Sequence, residues 1–90
     1  MKANHKNILN RLKRARGQID GIIKMVEADK YCLDVSTQIS AVVAALNSTN
    51  KEILSAHLKN CVSQSLEKGK KIDVNEKIDE IEKIIMKLSK

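Results

Sequence analysis

No proline occurs anywhere in the chain, and glycine stands only at positions 17, 21 and 69. A chain so poor in both residues has little to punctuate a many-stranded sheet, so it favours long helices. The apolar residues agree. Ile8, Leu12, Ala15, Ile19, Ile22 and Val26 alternate spacings of four and three, a heptad stripe that predicts a helix from about 5 to 28. Gly17 and Gly21 fall inside it, each costing about 1 kcal/mol relative to alanine, and their spacing of four offers a second helix a close approach. Ala28-Asp29-Lys30-Tyr31 reads as the turn, with Asp29 or Asp34 available to cap the next helix.

A second helix is expected from about 32 to 66. Val35, Ile39, Val42, Leu46, Ile53 and Leu54 supply its apolar face, and the polar run Asn47-Ser48-Thr49-Asn50 lies midway. Its length favours a bundle or coiled-coil-like partner. Gly69 with its neighbouring lysines ends it, cations near the negative end of the helix dipole. A third helix, about 74–88, repeats the heptad rule in Val74, Ile78, Ile81, Ile85 and Leu88.

Ninety residues make one domain, 1–90, near the lower end of sizes that fold alone. Tyr31 is the only aromatic residue, so burial must come from small aliphatic side chains. Such a chain gains by oligomerising, which covers the rest of each apolar stripe. No apolar run approaches the roughly 20 residues of a membrane span, and no signal-peptide core follows Met1, so the expected location is the cytoplasm. Two cysteines there are expected as reduced thiols, ligands or reactive groups rather than a disulfide.

The net charge of +6 is unevenly spread. Residues 1–16 carry Lys2, Lys6, Arg11, Lys13, Arg14 and Arg16 with no acid. A one-sided basic segment suggests a polyanion, nucleic acid before anionic membrane. A solvated helix face is the alternative. No nucleophile–base set and no glycine-rich phosphate loop is present, which leaves catalysis without support.

Cys32, His57 and Cys61 carry the chemistry. His57 and Cys61 are four apart and share one helix face. They continue the line of Leu46, Asn50 and Leu54, at or near an interface. Taken alone, such a pair is more often a buried polar pair than a ligand pair, since cysteine often packs as a small hydrophobe. Cys32 lies 25 residues before His57, which in one unbroken helix is roughly 40 Å at about 1.5 Å per residue. A second, antiparallel copy would bring Cys32 of one chain beside His57 and Cys61 of the other. Two thiolates and an imidazole suit trigonal Cu(I); zinc would need water or another residue as a fourth ligand. His5, within the basic segment, reads as a surface imidazole.

The run Arg11-Leu12-Lys13-Arg14-Ala15-Arg16-Gly17-Gln18-Ile19-Asp20-Gly21, then Tyr31-Cys32, Gln38-Ile39-Ser40-Ala41 and His57-Leu58-x-x-Cys61, closely resembles the copper-sensitive operon repressor (CsoR) family over nearly the whole chain. The resemblance implies an all-α protein of three helices per chain. Its long helical hairpin forms an antiparallel four-helix bundle dimer that pairs again into a tetramer. It also implies a repressor without enzymatic activity, whose apo form binds operator DNA and which Cu(I) releases, switching on copper export. Family residues that support the metal ligands without touching the metal map onto Tyr31 and Glu80, the carboxylate orienting His57 through its second ring nitrogen. Family DNA contacts map onto Arg11 and Lys51; lysine keeps the charge there but loses the bidentate geometry of arginine. Relatives that sense nickel or cobalt, formaldehyde or persulfide vary these same positions. A persulfide or other thiol sensor is therefore one rival, against which His57 speaks. A copper-buffering helical protein without a DNA role is the other, and it would not require the acid-free segment 1–16.

Overall fold

The computed structural model describes the backbone of residues 1–67 and 74–88, and the side chains of 1–61, 76 and 79–87. Three helices follow one another: α1 (His5–Glu27), α2 (Cys32–Glu67) and α3 (Val74–Leu88). Gly69 and the lysines beside it lie outside the described residues, as do the side chains of Val74, Ile78 and Leu88. The chain divides into two compact units, one of Asn4–Asn50 and one of Met1–Ala3 with Lys51–Lys90. The helix α2 runs from the first into the second.

In the unit 4–50, α1 starts at Asn4, whose side-chain oxygen accepts from the Asn7 backbone N–H at 3.0 Å. That bond satisfies one of the orphan donors of the first turn. The other end closes in a Schellman arrangement: the Lys30 N–H donates to the Met25 carbonyl and the Asp29 N–H to the Val26 carbonyl, both at 3.0 Å. The geometry needs a left-handed residue, and Asp29 supplies it at φ 52°. Asp29 therefore finishes α1 and does not cap α2. The first carbonyl of α2's ladder belongs to Tyr31, which accepts from Asp34 at 3.0 Å and Val35 at 3.2 Å. Asp34 sits in the first turn instead, its carboxylate near the positive end of the dipole.

The heptad stripe of α1 divides into two rows with different fates. Ile8 and Ala15 are buried and Ile22 is half-buried, each seven residues from the last. The other row, Leu12, Ile19 and Val26, is 43%, 43% and 61% exposed. The helix α2 repeats the division. Val35 is half-buried and Val42 and Thr49 are buried, whereas Ile39 and Leu46 remain open to solvent. One row of each helix thus closes the α1–α2 seam, and among the described residues the other stays largely open to solvent. The polar run midway along α2 fits this seam. Thr49 is buried but donates to the Ala45 carbonyl at 2.9 Å, so no polar atom is stranded. Gly17 and Gly21 lie opposite the stripe, and a Cβ at either would meet nothing within 4 Å. Among the described residues, the close helix approach their spacing suggested is not used.

Candidate functional site

In the unit containing Lys51–Lys90, α2 presents His57 and Cys61 one turn apart, and α3 brings Glu80 against them. Glu80 Oε1 lies 2.5 Å from His57 Nε2, and Cys61 Sγ lies 3.7 Å from the same nitrogen. The Cys61 thiol also points toward Glu80 Oε1 at 3.8 Å. One ligand-capable atom from each of the three residues lies within 4.8 Å of the others. His57 is about half exposed and Glu80 about one third, so an ion would have a way in. Because a carboxylate accepts, the contact places the imidazole proton on Nε2 and leaves the lone pair on Nδ1.

Cys32 is not part of this group. It opens α2 as an exposed residue in the other unit, preceded by Tyr31, whose ring is 64% exposed. Neither cysteine is in a disulfide. The donor chemistry of His57 and Cys61 suits a soft or borderline ion, but one thiolate and one imidazole fall short of the two thiolates and imidazole of a trigonal Cu(I) site. Glu80 stands in sequence where no spacing rule points to it. Only a family resemblance singles it out, since its approach is made by α3 packing on α2.

The basic residues are solvent-facing. Arg11, Lys13, Arg14 and Arg16 on α1 are exposed, as is Lys51 on α2. Arg11 and Arg14 line a cleft of about 140 Å³ together with Gln18, Ser48 and Thr49. Arg11 Nη1 donates to Ser48 Oγ at 3.4 Å across it. Sequence reasoning did not single out Ser48 and Gln18, uncharged residues that line the same cleft. Lys13 and Arg16 do not line it. His5 is exposed at the start of α1.

Among the described residues the chain is helical, and it offers a thiol–imidazole–carboxylate group and a basic helix face. The family model for the metal-sensitive transcriptional repressors matches residues 4–87, and the chain belongs to that family. It is 49% identical over 63 residues to the copper-sensing transcriptional repressor RicR of Mycobacterium tuberculosis, which covers 70% of this chain and 66% of the relative. The copper-sensing transcriptional repressor CsoR of Bacillus subtilis is 40% identical over 93 residues, covering 97% of this chain and 89% of its own length. The match thus spans just under two thirds of the mycobacterial relative and most of the Bacillus one. Among solved structures, the nickel-responsive transcriptional regulator InrS superposes with a TM-score of 0.81 at 25% identity, covering 98% of this chain and 96% of its own. The copper-sensing repressor CsoR with Cu(I) from Geobacillus thermodenitrificans gives a TM-score of 0.70 at 38% identity, over 89% of this chain and 84% of that one. Among the described residues, no helix is long and apolar enough to cross a membrane.

Proposed function

We propose that residues 1–90 act as one DNA-binding and metal-sensing module, a Cu(I)-responsive transcriptional repressor whose metal-free form holds operator DNA. The observation that carries the reading is the incomplete donor set. One chain gathers an imidazole and a thiol at His57 and Cys61, while its second thiol, Cys32, stands outside the group. A helix cannot fold its own first residue back onto residues 25 and 29 further on, so the missing soft donor would come from a second chain. The open apolar row of each helix is the surface on which that chain would pack, giving a homodimer and, by further pairing, a homotetramer. Bound there, Cu(I) would be held by Cys61 and His57 of one chain and Cys32 of another, accepting electron density from two thiolates and an imidazole.

Glu80 keeps the Nε2 proton, so the Nδ1 lone pair is the one His57 can give, and α3 is tied to the state of that ring. Tyr31, beside Cys32, would line the completed site. Arg11, Lys13, Arg14, Arg16 and Lys51 would meet the phosphates of the operator. The relatives' copper-sensing names support the choice of metal. The imidazole–carboxylate contact favours a metal sensor over a thiol-only one, which has no use for it. A regulator of this kind works in the cytoplasm and catalyses nothing. The test is an anaerobic operator-binding titration with and without Cu(I). Affinity should fall on adding one Cu(I) per chain; unchanged affinity would remove the repressor-switch reading.

A further inference from the structure

We propose that His57, Cys61 and Glu80 of a single chain also form a site for a divalent, borderline cation of the Zn²⁺ kind, bound by Nε2, Sγ and Oε1 with water as fourth ligand. The three donors already stand together without any second chain. In a tetrahedral site with bonds of about 2.0 Å to nitrogen and oxygen and about 2.3 Å to sulfur, donor pairs involving sulfur are about 3.5 Å apart and the nitrogen–oxygen pair about 3.3 Å. The observed sulfur distances, 3.7 and 3.8 Å, are close to those values. Only the Nε2–Oε1 pair, at 2.5 Å, must open, because a proton now sits where the ion would go. On binding through Nε2, the ring proton is exchanged through solvent to Nδ1, so the imidazole stays neutral, and the thiol proton of Cys61 is the one released.

The donor types decide which ion this site takes. A carboxylate oxygen is a poor partner for Cu(I) and an ordinary one for Zn²⁺. The two sites would share His57 and Cys61 but use different nitrogens of the ring and a different third donor. Cu(I) would recruit Cys32 of another chain, whereas Zn²⁺ would recruit Glu80 and clamp α3 to α2 within one chain.

Two variants separate them. Cys32 is an exposed residue of the first turn, so Cys32→Ala should leave the fold intact, and Glu80→Gln is isosteric. Purified, reduced apoprotein is titrated with Zn²⁺ against a chromophoric competitor, and with Co²⁺ as an optical probe. Cys32→Ala should keep one Zn²⁺ per chain with affinity within about threefold of the parent, and X-ray absorption should find one sulfur among nitrogen and oxygen neighbours. Glu80→Gln should lose more than about 100-fold for Zn²⁺, beyond the 10–100-fold typical of a group that merely orients a ligand, and should lose the tetrahedral Co²⁺ absorption. Retained Zn²⁺ affinity in Glu80→Gln, loss of it in Cys32→Ala, or two sulfurs per zinc would each overturn the proposal. None of these results depends on whether Cu(I) releases operator DNA, so the two readings fail separately.

Discussion

Among the described residues, Asp29 is the one most at odds with its backbone. Its φ of 52° is a conformation that side chains with a Cβ resist and glycine does not. It holds the place because the Schellman hydrogen bonds of Lys30 and Asp29 itself require the left-handed turn. Asp29→Gly should therefore stabilise the protein by about 1 kcal/mol, read as a higher midpoint in chemical denaturation with an unchanged slope. A lower midpoint would show that the carboxylate makes up the difference elsewhere. Arg11 is the residue to test for DNA, since it is exposed and lines the α1–α2 cleft with Ser48. Arg11→Ala should weaken operator binding and reduce the salt slope of log affinity by about 1, the release of one condensed counterion. Metal stoichiometry should not change. An unaltered salt slope would take Arg11 out of the phosphate contacts.

The helices divide their labour row by row. In α1, Ile8 and Ala15 work inside the chain while Leu12, Ile19 and Val26 face outward; in α2, Val42 and Thr49 do the first job and Ile39 and Leu46 the second. Charges placed in the outer rows, as in Ile19→Asp combined with Ile39→Lys, should leave each chain helical but shift sedimentation from oligomer to monomer. Val42→Ala should instead cost about 1–3 kcal/mol of stability through the cavity it leaves and spare assembly. Retention of the oligomer by the double variant would mean the outer rows are not the interface.

Helix extents were legible in the chain itself. The expected spans of about 5–28, 32–66 and 74–88 meet observed bounds of His5–Glu27, Cys32–Glu67 and Val74–Leu88, because no proline interrupts the periodicity. The adjacency of His57 and Cys61 was legible for the same reason, a spacing of one turn. Two things were not. The heptad pattern says which residues are apolar, but the division into inner and outer rows depends on the angle at which α2 meets α1. Nor does any local pattern announce an aspartate at a left-handed position, or α3 delivering Glu80 to a ring nitrogen 23 residues earlier.

For the whole molecule, the proposed switch is a matter of linkage. If Cu(I) weakens operator binding, operator must weaken Cu(I) binding by the same factor, and a coupling of about 1–3 kcal/mol gives roughly 5–150-fold. Thiols that give up their protons to Cu(I) leave the local charge little changed or more negative, so the coupling should be chiefly conformational and should persist in moderate salt. Measuring Cu(I) affinity with and without saturating operator checks it. Equal affinities would make the chain a copper binder without a switch.

Under the proposed shared site, the separation of Cys32 from His57 and Cys61 along α2 would also set an order of events in the life of each molecule. With the copper site shared as proposed, a newly made chain would have Glu80 at hand but its Cys32 out of reach, and would lack a full copper site until it found a twin. Copper would then be read only by finished assemblies, never by chains still searching for a partner. Zinc, whose three donors fold together in one chain, would be met first, and copper would act on a protein already past that encounter.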